Sequence, residues 1–161
     1  MKEISEYLRH NKIIEEFEPD VLICSPLDRA KATCDGILTT SEIPTVYRNE
    51  LVEPTWYETI FRRSFESRIS SFENWVQSTG YRRIVIVGHS QYFKSMIRSK
   101  EYMRNCDIWQ ASLQFDPKMR KCSWENHEIK YRCPSAHPHP LNRFFDEDFH
   151  LDDKDARKTI Q

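Results

Sequence analysis

Two short, wholly apolar runs rich in β-branched residues dominate the pattern of this chain. Val21-Leu-Ile23 and Ile84-Val-Ile-Val87 each follow a charged residue, and such short apolar runs are typical of strands buried on both faces. A helical pattern follows each run, and 45–47 predicts a further short strand. The order strand, helix, strand, helix predicts an α/β domain with parallel strands and right-handed crossovers.

The clearest helical pattern lies between these two strands. Its apolar stripe consists of Phe61, Phe65, Ile69, Phe72 and Val76. Gly80 is placed to cap the carboxyl end of this helix. Three basic residues on the helix are interpreted as a solvated face: Arg62, Arg63 and Arg68.

The remaining segments give weaker patterns. Apolar residues recur at roughly helical spacing over 2–17, which predicts a helix, whereas 48–57 is polar and is interpreted as a loop. Residues 108–115 partly alternate between apolar and polar, and 121–131 is predicted to pair with them as a hairpin.

Two regions of different composition divide the chain. Residues 1–133 are predicted to form one domain, since about 160 residues suffice for one core and not for two. Residues 134–161 begin with three prolines and continue with acidic clusters. This composition predicts a disordered tail.

Charge and cysteine usage restrict the partners. The chain has 24 basic and 25 acidic side chains, so nothing indicates nucleic acid or an anionic membrane as a partner. No run approaches the roughly 18 apolar residues of a membrane span, and the amino terminus is too polar for a signal peptide. Five cysteines without a Cys-x-x-Cys pair indicate reduced thiols, and we expect a cytoplasmic protein.

The first strand ends abruptly at Ser25-Pro26. Ser25 suits a helix N-cap, Pro26 the first helical position, and Asp28 the acid of a capping box. Helix amides beyond the carboxyl end of a strand form a favourable site for an anion. Arg29 opposes the helix dipole in that first turn, which indicates that its charge serves a ligand, although an Arg reaching into solvent is the simpler interpretation.

His89 follows the second strand in the same way. A His at this edge can act as acid, base or phosphate-binding cation near neutral pH, or it can simply cap or pack. Arg29 and His89 together, beside two helix amino termini, describe a site for a phosphoryl group. Glu53, on the intervening loop, could act as general acid for a leaving alcohol.

Two other chemistries have weaker support. Gly88-His89-Ser90 matches the start of the G-x-S-x-G nucleophile elbow, with Ser90 as nucleophile, but the fifth position is Tyr92. Five residues with the side chains of metal ligands have spacings that fit no standard zinc pattern: Cys122, His127, Cys133, His137 and His139. Because of these spacings, no metal is expected. No phosphate-binding glycine loop is present, so no nucleotide cofactor is expected either.

Several segments together resemble the histidine phosphatase superfamily, the phosphoglycerate-mutase-like proteins. Ser25-Pro-Leu-Asp-Arg-Ala30 resembles its S-P-L-x-R-A segment, and Leu51-Val-Glu53 is similar to its L-x-E segment. Ile84 to Ser90 resembles its strand that ends in the second catalytic His, and Asn105-Cys-Asp107 resembles a later segment. Order and spacing agree over roughly residues 1–131.

The resemblance implies a three-layer α/β/α fold with a mostly parallel sheet. It also implies phosphoryl transfer to a His in an R-H-G motif on the first, central strand. Arg29, His89 and Ser25 would bind the phosphoryl group, His89 and Glu53 being the catalytic pair. The loop after Glu53 lacks the E-R-H-Y-G sequence of true mutases, so the resemblance favours a phosphomonoesterase.

The R-H-G motif itself has no counterpart. It belongs a few dozen residues before S-P-L, whereas Arg9-His10-Asn11 lies only 15 residues before Ser25, inside the helical pattern of 2–17. We therefore expect the first central strand and the nucleophilic His to be missing. A truncated gene model, a splice form or an internal start at Met1 would explain this, as would a natural non-catalytic module.

Three functional hypotheses follow, and they leave open whether this chain is an enzyme. In the first, the chain is an incomplete histidine phosphatase, inactive here, whose parent hydrolyses a phosphomonoester through phosphohistidine. In the second, it is a non-catalytic module that binds phosphate or a phosphopeptide. The third is a serine hydrolase using Ser90. The expected partner of the first two is a phosphorylated small molecule or a phosphoprotein.

Overall fold

Strands and helices alternate along most of the described chain. The computed structural model describes residues 13–37, 42–101, 103–104 and 107–132. Its elements are α1 (Ile13–Phe17), β1 (Val21–Cys24), α2 (Asp28–Ile37), β2 (Thr45–Tyr47), a 3-10 helix (Asn49–Leu51), α3 (Trp56–Ile60), α4 (Arg62–Thr79), β3 (Ile84–Val87), α5 (Ser90–Ile97), β4 (Ile108–Asp116) and β5 (Lys121–Tyr131).

A three-stranded parallel sheet in the order β2-β1-β3 forms the centre of the structure. All four residues of β1 have 0% exposure, as expected for a strand paired on both edges and covered on both faces. The β1–β3 ladder pairs Val21 with Ile84 and Cys24 with Val87. The predicted α/β class and parallel pairing are confirmed.

Successive residues of β1 contribute to two separate apolar clusters. Val21 and Ile23 belong to the larger one, which also contains Phe65, Ile69, Phe72 and Val76 of α4 and Tyr92, Met96 and Ile97 of α5. Leu22 and Cys24 belong to the smaller one, with Ala30 and Cys34 of α2 and Val87 of β3. This alternation is the period-two pattern of a strand.

The strands β4 and β5 form a separate antiparallel sheet, so the predicted hairpin is confirmed. Strand β5 contacts α4 and α5. A buried polar bond links the hairpin to α4, since Trp124 Nε1 donates to Glu73 Oε1 over 2.9 Å. Burial raises the pKa of Glu73 above the usual 4.5, although the bond from Trp124 works in the opposite direction.

Other predictions for the chain had mixed outcomes. Gly80 ends α4 in the left-handed conformation at φ 74°, as predicted. The interpretation of 48–57 as a loop was wrong, because this stretch contains the 3-10 helix and the start of α3. A capping box explains why α3 begins here: the Thr55 side chain accepts from the backbone N–H of Glu58, and the Glu58 side chain accepts from the backbone N–H of Thr55.

Some predictions concern residues outside the described ranges. Of the predicted 2–17 helix, only Ile13–Phe17 is described, and it is helical. The 134–161 tail, Arg9-His10-Asn11, and Asn105 with Cys106 lie outside. Within the ranges given above, no helix is long and apolar enough to cross a bilayer.

The buried carboxyl group of Glu73 predicts a pH-dependent loss of stability. Because its pKa is raised in the folded chain, stability falls as pH increases from 4.5 through that raised value. We expect Glu73→Gln, which keeps an oxygen for Trp124, to stabilise the protein by about 1 kcal/mol at pH 7. Urea unfolding between pH 4 and pH 8 measures this.

The matched control is Glu66→Gln on the exposed side of α4. The gain from Glu73→Gln should grow with pH and then level off, while the control should differ little from wild type. An equal gain at every pH would contradict the assignment of the effect to ionised Glu73.

Candidate active site

The β1–β3 pairing brings the two predicted strand-end residues together. The backbone N–H of Ser25 donates to the carbonyl of Val87 over 2.9 Å, which extends the ladder by one residue beyond β1. His89 follows two residues later, and its Nε2 lies 3.0 Å from Ser25 Oγ. Ser25 has 0% and His89 has 5% exposure. The bond therefore joins two buried side chains at the carboxyl edge of the sheet.

The local structure at Ser25 differs from the predicted N-cap. Helix α2 begins at Asp28, and the backbone amides of Ala30 and Lys31 donate to the carbonyl of Leu27. The Ser25 hydroxyl instead accepts from the N–H of Leu27 over 3.4 Å, within a bend. Since it does not cap the helix, this hydroxyl can contact His89.

Arg29 determines which nitrogen of His89 carries the proton. Its Nε donates to His89 Nδ1 over 3.2 Å. Because a guanidinium can only donate, Nδ1 must be unprotonated. The proton of the neutral ring is then on Nε2 and is donated to Ser25 Oγ. His89 is the N-cap residue of α5 and is buried, but its side chain makes no capping bond to that helix and instead bonds to Ser25 and Arg29.

Glu53 completes the cluster from the loop after the 3-10 helix. Its Oε2 lies 2.6 Å from Arg29 Nη2, and its Oε1 lies 3.6 Å from His89 Nδ1. The side chains of Arg29 and Glu53 are 57% and 43% exposed. All four residues predicted for the site thus meet in one place, here called the edge cluster: Ser25, Arg29, Glu53 and His89. Their chemical roles stay a prediction.

The surroundings of His89 favour its neutral form. Burial is the largest effect that lowers its pKa below the usual 6.5, and the charges of Arg29 and Arg68 lower it further. The Glu53 carboxylate acts in the opposite direction. The edge cluster therefore consists of a neutral imidazole, a guanidinium and a carboxylate, with the cationic and anionic groups open to solvent and the imidazole buried.

Gly88 permits the close packing that holds His89 in place. A Cβ at this position would lie 2.9 Å from Cζ of Phe93, closer than van der Waals contact allows. The backbone N–H of Phe93 donates to the carbonyl of His89 over 3.0 Å. The absence of a side chain at Gly88 thus lets the first turn of α5 pack against the end of β3.

Arg68 is the residue of this region that the sequence interpretation missed. It was interpreted as part of a solvated face, but its side chain is only 18% exposed. It donates to the backbone carbonyls of Glu50 and Val52 and to both carboxylate oxygens of Glu58. A signal was present, because Arg68 lies three residues after Phe65 and four before Phe72, on the side of the apolar stripe.

The alternative chemistries gain no support from these contacts. A serine hydrolase needs a base for Ser90, but both ring nitrogens of the adjacent His89 are engaged by Ser25 and Arg29. Across the part of the chain that the structure describes, no group of three or more His, Cys, Asp or Glu side chains is placed to bind a metal ion.

Comparisons with known proteins do not assign a family. No family model, no curated protein and no solved structure matches this chain. The edge cluster and the sequence segments that form it therefore carry the evidence about function.

The position of Arg29 predicts its effect on His89. We expect Arg29→Met to raise the pKa of His89 toward 6.5, because the substitution removes a positive charge and the donor to Nδ1. Titration of the ring signals by NMR measures the shift. His89 binds its proton at a higher pH in the unfolded chain than in the folded one. Wild type should therefore lose stability as the pH falls below 6.5, and Arg29→Met should lose less stability over the same range.

Arg83→Met serves as the control, because Arg83 precedes β3 at the opposite edge of the sheet and pairs with Glu18. Its effect on the His89 titration should be small. Equal shifts in both variants would show that general charge, and not the contact with Arg29, controls the ring.

Proposed function

We propose that the edge cluster binds the phosphoryl group of a phosphomonoester. The observation that carries this proposal is the Glu53 carboxylate, which lies 2.6 Å from Arg29 and 3.6 Å from the His89 ring. A carboxylate and a phosphoryl group both present oxygens that accept bidentate contacts from a guanidinium. Arg29 thus already binds one anionic group beside the His89 ring, and we infer that a phosphoryl group can replace it.

Each residue then has a defined role. Arg29 exchanges its contact with His89 Nδ1 for the phosphoryl oxygens. The phosphoryl dianion favours the protonated ring, so that His89 donates to the same group through Nδ1 while Nε2 keeps its bond to Ser25. Ser25 orients the ring and contributes a hydroxyl to the buried side of the site. In an active parent protein, Glu53 would act as general acid for the leaving alcohol.

The same residues support the proposal of a histidine phosphatase-like protein. The segments that resemble that superfamily supply Ser25, Arg29, Glu53 and His89, which are distant in sequence and adjacent in the structure. We propose its three-layer α/β/α arrangement as well, because β1 contributes to two clusters with different helices. The family's first central strand would then be missing, since β1 pairs directly with β3.

Binding without covalent turnover is the activity we propose for this chain. A phosphohistidine intermediate needs a His with a free ring nitrogen beside the phosphoryl group. Two His residues fall in the described ranges, His89 and His127. In the proposed complex His89 carries a proton on both ring nitrogens and has no lone pair for attack, and His127 is exposed on β5. The proposed ligand is a phosphorylated small molecule or a phosphoprotein in the cytoplasm, and the buried free thiols of Cys24, Cys34 and Cys122 fit that compartment.

Phosphate binding should appear as thermal stabilisation. At about ten times its Kd, inorganic phosphate should raise the Tm by about 3 °C, and Arg29→Ala should abolish the shift. Differential scanning fluorimetry with a phosphate series measures this shift, and matching sulfate and chloride series show the effect of other anions. Arg83→Ala, the same substitution at the opposite edge of the sheet, should keep the wild-type response.

Two results would contradict the proposal. One is no phosphate-dependent shift in wild type, and the other is an equal shift in wild type and Arg29→Ala. Turnover of p-nitrophenyl phosphate by the wild-type chain, lost in His89→Asn, would contradict the non-covalent assignment and favour a phosphatase.

Glu53 predicts a second, opposite effect on binding. Because its carboxylate occupies the face of Arg29 that a phosphoryl group needs, Glu53→Gln should tighten phosphate binding by about two- to fivefold. Isothermal titration calorimetry at pH 7 measures the Kd. Glu128→Gln on β5 is the control for the change in net charge, and weaker binding by Glu53→Gln would show that Glu53 does not compete for Arg29.

A further inference from the structure

The Arg68 guanidinium is held by more polar contacts than any one ion pair provides. Its Nη1 donates to the carbonyls of Glu50 and Val52 over 2.8 and 2.7 Å. Its Nε and Nη2 donate to the two carboxylate oxygens of Glu58 over 2.8 and 3.0 Å. A bidentate pair together with two carbonyl contacts fixes the guanidinium plane in one orientation.

These contacts bracket Glu53 on both sides. Val52 immediately precedes it, and its carbonyl is bound directly. Thr55 lies two residues after it and is tied to Glu58, because the Thr55 backbone N–H donates to Glu58 Oε2 over 3.0 Å. One guanidinium on α4 therefore anchors the chain before Glu53 and, through Glu58, the chain after it.

Two aromatic rings lie close to the Arg68 guanidinium. Its guanidinium carbon lies 5.1 Å from the ring centroid of Phe65 and 5.5 Å from that of Tyr92, which has 0% exposure. Such contacts favour a desolvated guanidinium over an ammonium group. The aromatic rings contact Arg68 on the helix side, and its polar bonds go to the loop through Glu50, Val52 and Glu58.

Glu50 does not compete for this guanidinium with its side chain. The Glu50 carboxylate forms its own ion pair with Arg48, with 3.1 Å between Arg48 Nε and Oε2, and Arg48 lies over the ring of Trp75. Only the backbone carbonyl of Glu50 contacts Arg68. The loop is thus bound through its main chain, which sets the path that leads to Glu53.

We propose that Arg68 is the positioning residue for Glu53: by anchoring residues 50–58 it directs the Glu53 carboxylate onto Arg29 and His89. Arg68 itself makes no contact with a bound phosphoryl group. The consequence for ligand binding depends on the phosphoryl site proposed above, whereas the consequence for the Glu53–His89 contact does not.

The test is a double-mutant cycle between Arg68→Lys and Glu53→Gln, read on the His89 ring by NMR without ligand. Lysine keeps the charge but cannot bind two carbonyls and a carboxylate in one plane. In wild type, Glu53→Gln should lower the pKa of His89, because the carboxylate near Nδ1 favours the charged ring. In the Arg68→Lys background this shift should be lost, whereas Arg63→Lys on the exposed side of α4 should preserve it.

The ligand arm separates positioning from a merely structural role. Loss of structure weakens binding, but release of Glu53 from Arg29 should tighten it. Arg68→Lys should therefore bind inorganic phosphate about two- to fivefold more tightly, like Glu53→Gln. The double variant should show no further gain, since residues that act as a unit are not additive.

The outcomes distinguish the two proposals. An undiminished effect of Glu53→Gln on the His89 titration in folded Arg68→Lys overturns the positioning role, whatever phosphate does. Absence of phosphate binding in wild type contradicts the proposed function and leaves the NMR cycle to decide on Arg68. If Arg68→Lys does not fold, Glu58→Gln replaces it: a reduced Glu53 effect supports the positioning role, and an unchanged effect overturns it.

Discussion

The parallel pairing of β1 with β3 is the constraint from which the candidate site follows. Their register places Cys24 opposite Val87, so that both strands end at the same edge and the two segments that follow must diverge from neighbouring points. Ser25 and His89 meet there over 3.0 Å although 64 residues separate them. A one-residue slip in this register would turn every β1 side chain to the other cluster, and would separate Val21 and Ile23 from the side chains of α4 and α5.

The sequence predicted those parts of the site that depend on local pattern. Apolar β-branched runs located β1 and β3. Arg29 and His89, on the segments that follow these strands, were predicted to meet because parallel strands end at one edge. Glu53 was predicted from its resemblance to a motif and not from a pattern, because the loop that carries it has no periodicity. Its contact with Arg29 depends on packing between elements far apart in the chain.

Two errors have the same physical origin. Ser25 was predicted as an N-cap, yet its hydroxyl bonds to His89, a partner 64 residues away. Arg68 was assigned to solvent from its charge, although its position beside Phe65 and Phe72 placed it over the apolar stripe. In both cases a polar side chain bonds to a residue far away in the sequence, and local propensity cannot predict such a partner. Buried polar groups need such partners, and this is why their contacts are specific.

The edge cluster is an electrostatic arrangement in which the Glu53 carboxylate balances one guanidinium group, that of Arg29, beside a helix amino terminus. Arg29 lies in the first turn of α2, where the helix dipole disfavours a cation. The charge of Arg68 also acts on His89, but its own bonds to Glu58 and two carbonyls leave it no capacity for a ligand. Glu53 is thus the anion that compensates Arg29, and it is half-exposed on an anchored loop. A phosphoryl group bound as proposed would replace an existing partner of Arg29, so that it would meet a guanidinium already held in place and would not have to order an unpaired side chain.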